Sequence, residues 1–158
     1  MTLTTRLTTP EDVPALRNIL NAIIATGGTT AHEDHMSEAE FRAHYFDDPA
    51  IVHTVLQGDT PAGFQALFAK PDDVASVGTF TNQDTPVPGA GRALIAASIA
   101  AARAYGFKAI IAKIRADNVP GLAYYGKMGF VDYDVETGVP LQDGTPVDRV
   151  IKRMLLDS

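Results

Sequence analysis

Residues 85–94, TPVPGAGRAL, lie between a polar loop and an alanine-rich stretch that Gly106 ends. Gly89 and Gly91, one residue apart, stand where the alanine-rich stretch starts. This composition predicts a long helix over residues 93–105 that begins at Gly89 or Gly91. The first amide groups of a helix lack partners and carry a partial positive charge, and glycines let a ligand approach them closely. The stretch is therefore typical of a phosphate cradle, although a helix entry whose glycines only ease packing has the same pattern.

The sequence on either side alternates between strand-like and helix-like patterns, and its periodicity predicts the element order βααβββαβαββ. The predicted strands are residues 2–7, 50–57, 64–70, 74–82, 107–116, 131–137 and 146–155, and the predicted helices are 8–28, 37–46, 93–105 and a short one within 118–130. Residues 58–63, GDTPAG, are predicted as a turn. The order is typical of a single α/β or α+β domain, which we expect to span residues 1–158.

Composition excludes several classes of protein. The chain has 158 residues, of which 46% are hydrophobic and 20% are charged, so a packed core is expected and disorder is not. The net charge of −6 argues against a nucleic-acid partner. The chain has no cysteine, which excludes disulfides, a cysteine nucleophile and thiolate metal sites. The start has no apolar signal segment, and the longest apolar run is too short to span a membrane, so we expect a cytoplasmic protein without a membrane partner.

Two well-known phosphate-binding patterns match the sequence Gly89-Ala90-Gly91 poorly. A dinucleotide fold needs G-x-G-x-x-G directly after a strand, but Leu94 occupies the third glycine position and a polar loop precedes Gly89. Asp117 could imitate the ribose-binding acid of that fold, yet three antiparallel-looking strands come first. A P-loop is excluded because no Gly-Lys-Ser/Thr follows the glycines.

A better match comes from the order of strand, loop, G-x-G, long helix and strand, followed by DNVPGLAYYGKMGF at residues 117–130. This order resembles the GCN5-related N-acetyltransferase (GNAT) family. That family carries Q/R-x-x-G-x-G/A at the head of a helix and, later, a pattern close to N-x-x-A-x-x-x-Y-x-x-x-G-F. Asn118, Tyr125, Gly129 and Phe130 match the second pattern, with Gly121 in place of the alanine. The resemblance covers nearly the whole chain and implies a mixed, twisted sheet of about seven strands with helices on both faces.

The resemblance also implies a cosubstrate and the residues that hold it. Acetyl-CoA would be bound at its pyrophosphate by the helix start and at its pantetheine by the fourth strand, through Gly89, Ala90, Gly91, Arg92, Asn118 and the backbone of Phe80 and Thr81. Tyr125 matches the family tyrosine proposed as the general acid for the departing thiolate, and a phenol is protonated at pH 7. Its neighbour Tyr124 is interpreted as a packing residue. Pro86 stands where the family has glutamine or arginine, and Pro88 removes one donor from the loop.

The general base is not assigned by the motifs. Many family members place a glutamate on the fourth strand, where this sequence has Ser76 nearby and no carboxylate. The candidates for the base lie in GGTTAHEDHM after the first helix, among His32, Glu33, Asp34 and His35, and of these we select Glu33. Together, His32, Glu33, Asp34 and His35 could also form a metal site. Their spacing is not that of a helical i, i+4 pair, so we predict no metal. His53 is interpreted as a core histidine, and Asp132, Asp134 and Glu136 are predicted to share one face of the sixth strand.

Within the family, residues 8–33 resemble the start of the phosphinothricin and L-amino-acid N-acetyltransferases. Thr29, Thr30 and Glu33 match that segment, with His32 in place of the usual aromatic residue. This resemblance implies direct attack, in a ternary complex, by a primary amine of a small molecule such as an amino acid or analogue, and it implies a homodimer. Polyamines, aminoglycosides and protein N-termini stay open as acceptors. The alternative is a catalytically impaired acyl-CoA-binding module, for which the missing strand glutamate and the two loop prolines would account.

Overall fold

The computed structural model describes residues 2–156, which form one sheet with helices on either side. The seven strands are β1 (Leu3–Leu7), β2 (Ile51–Gln57), β3 (Thr60–Lys70), β4 (Val74–Thr81), β5 (Ala109–Arg115), β6 (Val131–Pro140) and β7 (Pro146–Leu155). The helices are α1 (Val13–Thr26), α2 (Glu38–Phe41), α3 (Ala90–Tyr105) and α4 (Val119–Lys127). The sheet order is β1-β2-β3-β4-β5-β7-β6, so β7 lies between β5 and β6. The predicted element order and the seven-stranded mixed sheet are confirmed.

Several element boundaries differ from the prediction. The first helix is preceded by a separate 3₁₀ turn, Pro10–Asp12, and α2 widens after Phe41 into a π-helical segment, Arg42–Asp47. The turn predicted over residues 58–63 is confined to Gly58 and Asp59, because β3 already begins at Thr60. Pro61 and Gly63 are poor strand formers. Gly63 is nevertheless needed there, since a Cβ would lie 2.7 Å from the carbonyl oxygen of Phe80 on β4.

The two faces of the sheet have separate cores. On one face, the buried side chains of α1 pack against Phe41, Tyr45, Phe64 and Phe80. On the other face, α3 packs through Ile95 and Ala102 against side chains of β3, β4 and β5 that include Leu67, Val77 and Ile110. Consecutive strand residues point to opposite faces, so each inner strand supplies both cores. Helices therefore cover both faces, as predicted. None of the helices within residues 2–156 is both long and apolar enough to cross a membrane.

The sheet opens between β4 and β5, its one parallel pair of neighbouring strands. These strands pair only from Val74 to Ser76 and from Ala109 to Ile111, although β4 continues to Thr81 and β5 to Arg115. Beyond Ser76, the β5-facing edge of β4 has no strand partner. Unpaired strand edges present free N–H and C=O groups to any extended ligand that enters.

The predicted shared face of the three β6 acids is wrong, because β6 has a bulge. Its register shifts between Asp132 and Asp134. Asp132 pairs with Lys152 and forms an ion pair with it at 2.5 Å, whereas Glu136 reaches Lys113 on β5. The extra residue at a bulge reverses the alternation of side chains, so Asp132 and Glu136 point to opposite faces.

Candidate active site

A cavity of about 530 Å³ lies where β4 and β5 part. Its walls come from both strands, from the loop after α1, from the first turn of α3 and from α4. Residues 29–32 of the loop after α1 and Asn118, Tyr124 and Tyr125 of the α4 region are among its lining residues. The gap in the sheet thus leads into a chamber that segments distant in sequence enclose.

The first turn of α3 carries free amides at the position of the predicted phosphate cradle. Gly89 is in a left-handed conformation with φ 84°, which favours glycine. The Ala90 N–H donates to the carbonyl of Val87, whereas the N–H groups of Gly91 and Arg92 have no partner among the described residues. Gly91 lines the cavity, and Arg92 is exposed beside it. Two free amides and one cation are therefore available to an anion at this helix start.

Gly91, the second glycine of the pair at the start of α3, must lack a side chain because Tyr124 packs against it. A Cβ on Gly91 would lie 2.7 Å from Cε1 of Tyr124, and the Tyr124 hydroxyl donates to the carbonyl of Gly91 at 2.7 Å. Gln65 in turn donates to the Tyr124 hydroxyl at 3.2 Å. Tyr124 is a packing residue, as predicted, but it also lines the cavity and joins α4 to the start of α3. Sequence reasoning missed this contact because the two residues are far apart in the chain.

Tyr125, the predicted general acid, lies in the cavity wall. It is 7% exposed, and its hydroxyl is hydrogen bonded to the Thr79 hydroxyl of β4 at 2.8 Å. Burial raises the pKa of Tyr125 well above its ordinary value, against the smaller opposing effect of the Thr79 hydrogen bond. The hydroxyl therefore keeps its proton at neutral pH. Thr79 was not singled out from the sequence.

Asn118 begins α4 and ties it to the loop after α1. Its side-chain oxygen accepts from the N–H of Gly121 at 3.0 Å, and its side-chain nitrogen donates to the carbonyl of Thr29 at 3.1 Å. Asn118 lines the cavity, so its second amide hydrogen can still face a ligand. Gly121 replaces the alanine of the family pattern at a point where any Cβ would collide with the Asn118 side chain.

Phe80 and Thr81 also line the cavity, on the part of β4 that has no partner on its β5 side. Ser76 lies in the paired part of β4, opposite Ile111 of β5, and does not line the cavity. His53 is 9% exposed and lies away from the cavity, so it is a core histidine as predicted, although its buried Nδ1 has no hydrogen-bond partner among the described residues.

Glu33, the candidate base, is exposed and is not part of the cavity wall. Its carboxylate accepts from the backbone N–H of Gln142 at 3.0 Å, and the neighbouring Asp34 accepts from the Gln142 side chain at 2.8 Å. The two acids therefore fasten the β6–β7 turn to the loop after α1. Within residues 2–156, no group of three potential ligands is arranged to hold a metal ion.

His32 lines the cavity and is half-buried. Its Nε2 is hydrogen bonded to the hydroxyl of Tyr45, and its ring centroid lies 6.4 Å from that of Phe80. Burial lowers the pKa of His32 below its ordinary value, and the nearby His44 adds to the effect. The sequence identified His32 as one of four base candidates, as a possible metal ligand and as the replacement for the usual aromatic residue, but it did not show that His32 lines the cavity and Glu33 does not.

Three cations line the cavity where β5 meets β7. Lys113 forms an ion pair with Glu136 at 3.4 Å, and Arg115 forms one with Asp117 at 2.8 Å. Arg149 pairs across the strands with Arg115 and makes no ion pair with any described residue. This end of the cavity therefore has an excess of positive charge, and Asp117 is occupied by Arg115.

Comparison with known proteins accounts for this arrangement. The sequence model of the Acetyltransferase (GNAT) family matches residues 15–130, which is most of the chain. The chain belongs to the GNAT family. The predicted enzyme class, an acetyl-CoA-dependent N-acetyltransferase, is thereby confirmed.

Individual proteins are similar to this chain in sequence or in fold. A Bacillus subtilis (strain 168) protein with the provisional name phosphinothricin acetyltransferase YwnH is 25% identical over 154 residues, which cover 92% of this chain and 94% of that protein. The fold is shared with a GNAT phosphinothricin acetyltransferase from Sinorhizobium meliloti, solved in complex with acetyl-CoA (TM-score 0.86, 20% identity, 99% of this chain and 89% of that one). It is also shared with the provisionally assigned acetyltransferase YncA of Salmonella typhimurium, solved with its cofactor acetyl-CoA (TM-score 0.86, 17% identity, 100% and 96%).

Proposed function

We propose that this GNAT enzyme transfers the acetyl group of acetyl-CoA to the primary amine of a small molecule, an amino acid or analogue, by direct attack in a ternary complex. The observation that carries the proposal is the gap between β4 and β5, which has free amides of α3 at one end and the Tyr125 hydroxyl inside. An extended thioester cofactor and its reacting carbonyl fit a site of this kind.

The cofactor would be held by backbone groups. Its pyrophosphate would accept from the free amides of Gly91 and Arg92, with Gly89 and Ala90 forming the turn that aims them. Its pantetheine would pair with β4 at Phe80 and Thr81 as an added strand, and Asn118 would donate to it from α4. Support comes from the two relatives of the same fold that were solved with acetyl-CoA.

The chemistry needs one acid, one base and a place for negative charge. The deprotonated amine attacks the thioester carbonyl, and the tetrahedral oxyanion accepts from a backbone N–H of β4. As the C–S bond breaks, the Tyr125 hydroxyl gives its proton to the departing sulfur. The nitrogen of the new amide loses its extra proton, which restores the hydroxyl of Tyr125. Thr79 keeps that hydroxyl aimed throughout.

The charge of the cavity supports an acceptor that carries an anionic group beside its amine. Lys113 and Arg115 have carboxylate partners, but the guanidinium of Arg149 has none among the described residues. A half-buried guanidinium without a counter-ion binds a planar carboxylate well, through two parallel hydrogen bonds. An α-amino acid would place its carboxylate there.

A homodimer and a cytoplasmic location are also part of the proposal. Strand β6 is a sheet edge with exposed Val131, Tyr133 and Val135, at 62%, 56% and 49% exposure. Burial of such a strand against a second copy would remove apolar surface from water. Sedimentation of the wild type against Val135→Lys tests the dimer, since a lysine near the middle of β6 should yield monomers. The location follows from the cosubstrate, an intracellular metabolite, and cell fractionation tests it.

The first experiment measures thermal unfolding with acetyl-CoA, with NADH as the control ligand. Acetyl-CoA at about 100 times its dissociation constant should add roughly 2.7 kcal/mol of stability. Release of the CoA thiol is then followed with a panel of amines headed by phosphinothricin and including decarboxylated analogues. Turnover with amino acids but not with their decarboxylated analogues supports the proposal. A chain that binds acetyl-CoA but acetylates no amine would instead be the impaired acyl-CoA-binding module.

A further inference from the structure

We propose that His32 is the general base of the acetyl transfer and that Tyr45 is its hydrogen-bonded partner. The inference rests on the proposed function and deepens it, since it names the group that takes the proton from the acceptor ammonium. No acid on β4 and no carboxylate in the cavity wall is available for that step.

The geometry sets the base and the acid on opposite sides of the gap. Thr79 and Phe80 are consecutive residues of β4, so their side chains point to opposite faces of the sheet. Tyr125 is hydrogen bonded to Thr79, whereas the His32 ring lies beside the Phe80 ring. A thioester that lies along β4 would therefore have the proton donor for its sulfur on one face and a proton acceptor for the amine on the other.

The hydrogen bond between His32 and Tyr45 lets the imidazole receive the proton in either tautomer. With hydrogen on Nε2, that atom donates to the Tyr45 oxygen, and Nδ1 keeps the lone pair that takes the proton. With hydrogen on Nδ1, the Tyr45 hydroxyl donates to Nε2 and can take the proton from the amine as it passes its own to the ring. In both cases the ammonium N–H bond breaks, the amine keeps the electron pair and the imidazole becomes cationic.

The surroundings keep the imidazole neutral until it acts. Burial of His32 lowers its pKa, and the other titratable groups facing it are His44 and Tyr45 on the segment after α2. Burial also raises the pKa of Tyr45, so its hydroxyl stays protonated and the imidazole is the proton sink of the pair. The same cavity also has charged groups from strands β5 and β7, among them Arg115 and Arg149.

The remaining groups do not suit the role. Among the side chains that line the cavity within residues 2–156, His32 is the sole imidazole and none is a carboxylate. Lys113 lines the cavity as well, but its side-chain nitrogen forms an ion pair with Glu136 at 3.4 Å. Glu33 lies outside the cavity and is hydrogen bonded to Gln142 of the β6–β7 turn.

The test compares His32→Gln with His35→Gln, an exposed histidine three residues later that is not part of the cavity wall. Turnover is measured from pH 6 to pH 10 with phosphinothricin, or with the best amine of the panel, and acetyl-CoA affinity is measured by calorimetry. We expect His32→Gln to lose about 100-fold or more in kcat at pH 7, the usual contribution of a general base. The loss should shrink at high pH, where the amine is already deprotonated, and acetyl-CoA affinity should not change. A third variant, Tyr45→Phe, removes only a hydroxyl. Its kcat should fall less than that of His32→Gln, and the fall should likewise shrink at high pH.

Two results would overturn the inference. One is a His32→Gln enzyme as active as His35→Gln, and the other is a loss of the same size at every pH, which indicates a structural role. An NMR titration of the His32 ring that gives a pKa at or above the ordinary value would also count against it, whatever the acceptor. If the wild-type protein acetylates no amine, the proposed function itself is refuted. If the wild type and His32→Gln are equally active, the proposed function stands and only the role of His32 is refuted.

Discussion

Gly91→Ala should destabilise the protein through a single contact. The added methyl group would lie 2.7 Å from Cε1 of Tyr124, so the ring must move and its hydrogen bond to the Gly91 carbonyl is lost. Overpacking costs about 1–3 kcal/mol, and the hydrogen bond roughly another 0.5–1.5 kcal/mol. Alanine returns about 1 kcal/mol through its higher helix propensity. The net loss of about 1–3 kcal/mol corresponds to a fall in Tm of roughly 3–10 °C.

A double-mutant cycle isolates the cause. In a Tyr124→Ala background the ring is absent, so Gly91→Ala should cost nothing and should stabilise by roughly 0.5–1 kcal/mol, the ordinary gain in a helix. Gly126→Ala is the matched control, because its Cβ would meet only the Lys152 side-chain nitrogen at 4.0 Å. Thermal unfolding of the four proteins of the cycle and the control is followed by circular dichroism. An equal cost of Gly91→Ala in both backgrounds would refute the steric explanation.

Three other changes test separate parts of the molecule. Tyr125→Phe should abolish most turnover while calorimetry shows acetyl-CoA binding unchanged; unchanged turnover would remove Tyr125 as the acid, and parallel loss of binding would make it structural. Arg149→Gln should raise KM for an amino acid acceptor without changing KM for acetyl-CoA. An acceptor KM equal to that of the wild type would contradict a carboxylate site at Arg149. Burial alone would raise the pKa of Asp12, but hydrogen bonds from Arg6, the Thr9 amide and Thr54 hold it below its ordinary value. A depressed folded-state pKa stabilises above the unfolded pKa, so urea unfolding should show wild-type stability falling below about pH 4, more steeply than in Asp12→Asn.

Most helices and strands were predictable from local sequence patterns, because their formation depends on residues close together in the chain. The apolar stripe of α1, the alanine-rich α3 and its terminal Gly106 required no distant partner, and all three are present in the structure. The β2–β3 turn was predicted too long, because a proline and a glycine near the start of β3 resemble turn residues. Only the approach of β4 reveals why a glycine is needed at position 63.

The site was predictable only where a motif recurs in the family. Gly91 and Tyr125 were found by pattern, and both line the cavity. Tyr124, Thr79 and Tyr45 were not, because their importance comes from contacts across the fold rather than from spacing along the chain. The sequence match favoured Glu33 as the base, whereas in the structure its neighbour His32 lines the cavity and Glu33 does not.

The fastening of Gln142 by Glu33 and Asp34 has a consequence for the order in which the enzyme is made. The loop that carries these two acids is synthesised before the turn that it holds and before β7, the strand that bears Arg149. Strand β7 must also enter between β5 and β6 to complete the sheet. A nascent chain therefore cannot complete the Arg149 side of the cavity until β7 has been synthesised.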